Sequence, residues 1–197
     1  MDASKVERIL SVIEQDIAPI TEKAVSEGNK LFGAAILNKS DMSLVCADTN
    51  RETEWPLLHG EVSCLRTFNA IPKTDRANEK DLMFIATHEP CSLCLSAITW
   101  SGFDNFYYLF SYEDTRDAFA IPHDLKILQE VFKCDHGDYA RSNAFFKCHD
   151  ITKLVADVEE QEARQKLQET VLRLRQKYAD ISAQYQESKG DNSIPLN

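Results

Sequence analysis

The sequence lacks any long apolar run and any excess of positive charge. No stretch approaches the roughly 18 consecutive apolar residues that span a bilayer, so we expect no membrane segment. The 197 residues carry a formal net charge of -10 at pH 7. Proteins that bind a nucleic-acid duplex or a transfer RNA usually present a basic face. The charge therefore argues against nucleic acid as the main partner.

The sequence also begins without the apolar core of a secretory signal, since its first residues are MDASKVERIL. We therefore expect a cytoplasmic protein. In that compartment the six cysteines, at positions 46, 64, 91, 94, 134 and 148, are expected to be reduced thiols or metal ligands rather than disulfides. No repeat or low-complexity segment stands out, and 43% hydrophobic with 27% charged residues is typical of a globular domain.

Strands and helices are predicted to alternate along the chain. Four apolar segments are predicted strands: LFGAAIL, SLVCA, DLMFIAT and NFYYLF. Three segments with helical periodicity alternate with the later strands: HGEVSCLRTFNAI, CSLCLSAITW and HDLKILQEVF. This order predicts a three-layer α/β/α sandwich. Its sheet is expected to be mixed, because the first two strands form a hairpin. We expect irregular structure in the region 134–150.

The last third of the chain has a different composition. It has no proline or glycine from Ile151 to Gln186, and it is rich in Glu, Gln, Lys and Arg. Apolar residues in it step by four and three, as in a heptad seam: Leu167, Val171, Leu174, Tyr178, Ile181 and Tyr185. Two interpretations stay open: the helix packs on its own domain, or it pairs with a second helix. We predict a folded domain at 1–150, this helix or coiled coil at 151–188, and a disordered tail at 189–197.

Four residues indicate a metal site. Cys91 and Cys94 form a Cys-x-x-Cys pair after a proline, and His59 with Glu61 stands some thirty residues upstream in LHGEV. Two thiolates and one imidazole are good zinc ligands and leave the fourth tetrahedral position for water. The cysteine pair alone would also fit a redox couple or inert residues of the core. A purely structural zinc site would need a fourth ligand, for which Cys64 is the candidate.

Glu61 is the predicted proton carrier of the site. Standing two residues after the predicted ligand histidine, at a helix start, it can face the water on one zinc ion per chain. It would take a proton from that water and pass it to a ring nitrogen and then to a departing amine. The combination of His-x-Glu with Pro-Cys-x-x-Cys is the pattern of zinc deaminases.

LHGEV, EPCSLCLSAITW and LFGAAIL together resemble the cytidine deaminase-like superfamily over roughly residues 20–133, with the guanine and cytosine deaminases as its most similar branch. The resemblance implies a mixed sheet of about five strands between helices and a homodimer or higher homo-oligomer. It also implies that His59, Cys91 and Cys94 bind Zn²⁺ and that Glu61 shuttles protons.

Four further residues match substrate-binding positions of that branch. The resemblance implies that Phe32 and Trp100 pack on the base, that Asn50 hydrogen-bonds it and that Asp124 lies in its pocket. Ordinary roles stay open for each: core packing for the aromatics, a turn for Asn50 and a helix cap for Asp124. Asn50 stands nine residues before His59, closer than the family places it.

These observations predict a zinc-dependent hydrolytic deaminase of a free heterocyclic base or nucleoside, with release of ammonia. Guanine or a related aminopurine is the expected substrate. Cytosine or a nucleoside, an aminopteridine or a triazine are alternatives. A different class of function is an inactive deaminase-like scaffold whose C-terminal helix recruits a partner.

Overall fold

A five-stranded sheet forms the centre of the computed structural model, which describes residues 2–196. Its strands are Gly33–Asn38 (β1), Leu44–Thr49 (β2), Leu82–His88 (β3), Asn105–Phe110 (β4) and Lys147–Asp150 (β5). They lie in the order β2-β1-β3-β4-β5. β1 is antiparallel to both β2 and β3, whereas β3, β4 and β5 are mutually parallel. The predicted mixed sheet is confirmed.

Eight α-helices surround this sheet in the described part of the chain. They are Ala3–Val12 (α1), Ala18–Ser26 (α2), Gly60–Ala70 (α3), Ser92–Trp100 (α4), Tyr112–Asp117 (α5), His123–Phe132 (α6), Ile151–Ala156 (α7) and Gln161–Ser188 (α8). A π-helical turn, Ile13–Ile17, joins α1 to α2. None of the helices over residues 2–196 combines the length and apolarity that crossing a membrane requires.

Alternate residues of the strands serve two separate cores, because successive side chains point to opposite faces of a sheet. On one face, Leu37 and Ile85 pack with buried residues of α1, α2, α7 and α8. On the other face, Ile36 and Phe84 pack with residues of α3 and α4, including Phe68. The predicted three-layer α/β/α arrangement is therefore confirmed.

The seam of the C-terminal helix lies within the first of these cores. All six residues of the seam are buried there: Leu167, Val171, Leu174, Tyr178, Ile181 and Tyr185. α8 packs against α1 and α2 of its own chain. Of the two interpretations, the structure shows the helix packed on its own domain, so the same seam is not free to pair with a second chain.

Three details differ from the prediction. The helix expected from Ile151 is broken between α7 and α8, because the chain turns at Asp157–Glu160. The region predicted to be irregular contains β5, whose four residues pair with β4 along the sheet edge. Where the sequence predicts a disordered tail, Asn192 donates a hydrogen bond to the Gly28 carbonyl oxygen and Ile194 is buried. Asn197 lies outside the described residues. The division into 1–150 and 151–188 stays a prediction.

Candidate zinc site and substrate pocket

The predicted metal ligands stand at the starts of two helices. His59 is the N-cap residue of α3, and Cys91 is the N-cap residue of α4. Cys94 lies one turn into α4, and strand β3 ends three residues before Cys91. The partial positive charge at a helix N-terminus favours thiolates, so this placement suits both cysteines.

Gly60 allows the start of α3 to approach the sheet. A Cβ atom at this position would lie 2.6 Å from the Phe32 carbonyl oxygen and 2.8 Å from the Gly33 Cα atom. Any side chain here would push α3 away from β1. The glycine between His59 and Glu61 therefore has a packing role, which sets the depth at which both neighbours enter the site.

The three donor atoms are spaced as a zinc ion requires. His59 Nδ1 lies 3.5 Å from Cys91 Sγ and 3.8 Å from Cys94 Sγ, and all three donor atoms lie within 4.8 Å of one another. Tetrahedral ligands with ordinary Zn–N and Zn–S bond lengths are separated by about 3.6 to 3.8 Å. One imidazole and two thiols also match the chemistry that zinc prefers, so the residues fit the ion.

The electrostatics of the cluster show which protons a metal ion must displace. A hydrogen bond from Cys94 and the nearby His59 hold the pKa of Cys91 well below its ordinary value. Burial and the charge on Cys91 raise the pKa of Cys94 well above it. Burial lowers the pKa of His59, but the charges on Cys91, Glu52 and Glu61 outweigh it, so the pKa rises to about 9. A metal ion that binds through these three donors must therefore displace the protons held by Cys94 and His59.

Glu61 faces the same cluster. Its side chain is 5% exposed, and its Oε2 atom accepts a hydrogen bond of 3.2 Å from the Cys94 thiol. Burial, followed by the charge on Cys91, raises the pKa of Glu61 to about 7. A carboxyl with a pKa near the working pH is suited to accept a proton and to return it.

A pocket of about 330 Å³ opens beside these residues. Phe32, His59 and Cys91 line it on the metal side, and Asp124 lines it from the start of α6. Most of the remaining lining is apolar: Pro56, Leu57, Leu93, Ile121, Ile127, Pro195 and Leu196. Burial, followed by the charge on Cys91, raises the pKa of Asp124 well above its ordinary value. Two of the four predicted substrate contacts, Phe32 and Asp124, are thus brought to the site.

Asn50 and Trp100 lie elsewhere. Asn50 is fully buried beside the pocket wall, where its amide donates to Glu52 Oε2 and its carbonyl oxygen accepts from the Gly60 N–H. Both polar ends of its side chain are occupied by protein groups. Trp100 ends α4 with 91% of its side chain exposed, outside the pocket lining. Within one chain, the structure gives neither residue a contact with the pocket.

Two residues that the sequence analysis did not single out line the pocket: Lys30 and Glu52. Their side chains are 7% and 2% exposed and form an ion pair of 2.9 Å. Glu52 Oε1 also lies 3.6 Å from His59 Nε2. Neither residue belongs to the His-x-Glu or the Pro-Cys-x-x-Cys motif, and only the packing of the loop brings Glu52 to His59.

The family comparison agrees with this geometry. Residues 13–110, about half of the chain, match the model of the cytidine and deoxycytidylate deaminase zinc-binding region. The matched region contains all three candidate zinc ligands and Glu61. The chain belongs to the cytidine deaminase-like superfamily. This zinc-binding family membership confirms the predicted resemblance and the predicted cofactor.

Individual relatives in this superfamily are distant. The chain is 30% identical over 95 residues to a Schizosaccharomyces pombe protein described as "Probable cytosine deaminase", covering 48% of this chain and 56% of that protein. It is 34% identical over 84 residues to the cytosine deaminase of Candida albicans, covering 42% and 53%. The chain thus spans about half the length of the curated relatives it matches.

Solved structures share the fold. A variant of NE0047 in complex with 8-azaguanine superposes with a TM-score of 0.55 at 16% identity, covering 89% of this chain and 84% of the other. At this identity the likeness shows the fold alone. It covers more of the chain than the sequence-matched region does.

Proposed function

We propose that the protein is a zinc-dependent aminohydrolase that converts the exocyclic amine of a free heterocyclic base to a carbonyl, with guanine or a related aminopurine as the substrate. The observation that carries this proposal is the placement of buried Glu61 beside a three-donor zinc cluster. A zinc ion held by only three protein ligands would keep a fourth position for water. His59, Cys91 and Cys94 are the proposed zinc ligands.

Glu61 performs the proton transfers of the proposed reaction. When bound, the zinc ion supplies a Lewis acid that lowers the pKa of a water molecule towards neutrality. Glu61 accepts a proton from the attacking water and delivers it to a ring nitrogen of the base. A second proton, from the hydroxyl now on the ring carbon, passes through Glu61 to the amine. The C–N bond then breaks, ammonia leaves and the carbonyl forms. The raised pKa of Glu61, about 7, suits both directions of transfer.

The pocket supports a small, flat and uncharged substrate. A volume of about 330 Å³ lies at the small end of the usual range for ligand sites, roughly 300 to 1,000 Å³. Phe32 offers an aromatic side chain for packing against a ring. The lysine of the lining is already paired with Glu52, so it is poorly suited to bind a phosphate group. Asp124 offers its carboxyl to the polar edge of a base.

Guanine is favoured over cytosine by two observations. The NE0047 variant that shares the fold holds 8-azaguanine, a purine analogue. Asp124 also lines the pocket, and the sequence resemblance puts it near the acidic residue of the guanine branch. Cytosine remains the second candidate, since both curated relatives bear the name cytosine deaminase.

A substrate panel tests the proposal. Zinc-loaded protein would be incubated with guanine, 2,6-diaminopurine, adenine, cytosine, cytidine, guanosine and an aminopteridine, and ammonia release would be measured. We expect release from a free aminopurine with the largest kcat/KM. Preferential release from cytosine would move the assignment to the second candidate. Bound zinc with no turnover on any compound would favour the inactive scaffold.

A further inference from the structure

A buried ion pair sits in the pocket wall without a role in the reaction as described so far. Lys30 Nζ lies 2.9 Å from Glu52 Oε1, and both side chains are almost fully buried. Removing two charges from water is costly, and a buried pair is often no more stabilising than apolar residues of the same size. Its position beside His59 therefore needs an explanation other than stability.

The Glu52 carboxylate is held from two sides. Lys30, just before β1, donates to Oε1 at 2.9 Å, and Asn50, just after β2, donates to Oε2 at 2.6 Å. The side-chain carbonyl oxygen of Asn50 in turn accepts a hydrogen bond from the backbone N–H of Gly60, the first residue of α3. The loop is thus tied to the helix whose N-cap residue is His59.

This carboxylate faces the ring nitrogen of His59 that points away from the thiols. His59 Nδ1 lies 3.5 Å from Cys91 Sγ, whereas Nε2 lies 3.6 Å from Glu52 Oε1. A neutral imidazole that binds a metal through Nδ1 carries its proton on Nε2. That N–H needs an acceptor, and the acceptor fixes both the tautomer and the plane of the ring.

We propose that Glu52 is a positioning residue for the zinc site. Its Oε1 atom lies 3.6 Å from Nε2, slightly outside hydrogen-bond distance. A small shift of the ring would let Glu52 accept the Nε2 proton of His59 and so aim the Nδ1 lone pair between Cys91 and Cys94. Lys30 and Asn50 fix the carboxylate at the required place. The inference rests on the proposed zinc site, and it goes beyond that site by assigning Glu52, Lys30 and Asn50 to its support. Asn50 was predicted to contact the base; in this proposal it contacts Glu52 instead.

The competing explanation is that the pair only stabilises the loop. A double variant, Lys30→Met with Glu52→Leu, distinguishes the positioning role from the stabilising role. It removes both charges, so neither charge is left buried alone. Its partner is Lys30→Met with Glu52→Gln, which keeps an acceptor for the Nε2 proton. The control is Glu54→Gln on the same loop, where the side chain is 52% exposed and pairs with Arg51 and Arg66.

The measurements are zinc affinity by chelator competition, the visible spectrum of the Co²⁺-loaded protein, and thermal unfolding without metal. We expect the Leu double variant to fold and to lose about 10-fold to 100-fold in zinc affinity, with an altered cobalt spectrum. The Gln double variant should regain most of that affinity, and Glu54→Gln should match the wild type.

Wild-type zinc affinity and an unchanged cobalt spectrum in the Leu double variant would overturn the inference while leaving the zinc site standing. If the Leu double variant does not fold, the Gln double variant is compared with a third double variant, Lys30→Met with Glu52→Ala, by zinc content. Equal zinc content in these two would overturn the inference. A wild-type protein that binds neither zinc nor cobalt would overturn the proposed function itself.

Discussion

The two walls of the pocket are built in different ways. The metal wall comes from His59 and Cys91, N-cap residues of helices that pack on one face of the sheet. The opposite wall combines a loop residue, Leu57, with Ile127 of α6 and Leu196 of the C-terminal tail. Short, regular segments thus fix the chemistry, whereas segments distant in sequence shape the space for the substrate. The walls should respond differently to substitution.

The largest effect is expected on the metal wall. Cys94→Ser replaces a soft thiolate ligand that no neighbouring residue can substitute, so zinc affinity should fall on the order of 10³-fold or more. Chelator competition measures it. Cys134→Ser, a half-buried cysteine outside the cluster, is the matched control and should keep wild-type affinity. Equal affinity of the two variants would show that the cluster does not hold the metal.

The opposite wall depends on α8, which leads to the tail. Leu174 of this helix is fully buried, and Leu172 on the other side of the helix is 66% exposed. Leu174→Ala should lower the free energy of unfolding by about 2 to 5 kcal/mol through lost burial and a cavity. Leu172→Ala should change it by less than about 0.5 kcal/mol. Chemical denaturation measures both, and similar values would contradict the packing of α8 on its own domain.

The pH dependence of zinc binding sharpens the description of the metal wall. The pKa of His59 is raised to about 9 and that of Cys94 lies well above its ordinary value, so both groups carry protons at pH 7. Zinc binding must release these protons, and protons therefore compete more strongly as the pH falls. With two protons released per ion, affinity should rise on the order of 100-fold from pH 6 to pH 7. Calorimetry in two buffers measures the number of protons released on zinc binding. A zinc affinity that does not change with pH would contradict these protonation states.

The smallest effect concerns the two aromatic residues predicted to contact the base. Phe32→Ala removes a pocket side chain and should raise KM about tenfold, with unchanged zinc content. Trp100→Ala removes an exposed side chain outside the pocket and should leave KM within about twofold. Steady-state kinetics on the best substrate compare them. A larger effect of Trp100→Ala would indicate that this residue reaches a pocket in another copy of the chain.

The sequence predicted the metal wall because its signals are local. His59 with Glu61, and Cys91 with Cys94, stand at fixed short spacings, and apolar periodicity placed each pair at a helix start. Short apolar segments predicted four of the five strands. β5 escaped prediction because it has four residues, is only half-buried and lies at the sheet edge, where burial imposes little pattern.

The opposite wall was harder to predict, since tertiary packing decides it. Nothing in the local sequence shows that the tail reaches the pocket, or that Asn50 points to Glu52 instead of the base. The seam of α8 was recognised, but its partner could not be: a heptad pattern fits equally a helix from another chain and the buried faces of α1 and α2. Oligomeric state, cytoplasmic location and the exact base stay predictions.

The most direct test of the account is the variant Glu61→Gln, compared with the wild type at equal zinc content. The amide keeps the size of the side chain but cannot accept and return a proton. Ammonia release from the preferred base should fall by about 10³-fold or more, while the protein still binds about one zinc ion per chain. Turnover within tenfold of the wild type would contradict the assignment of Glu61 as the proton carrier and, with it, the proposed mechanism.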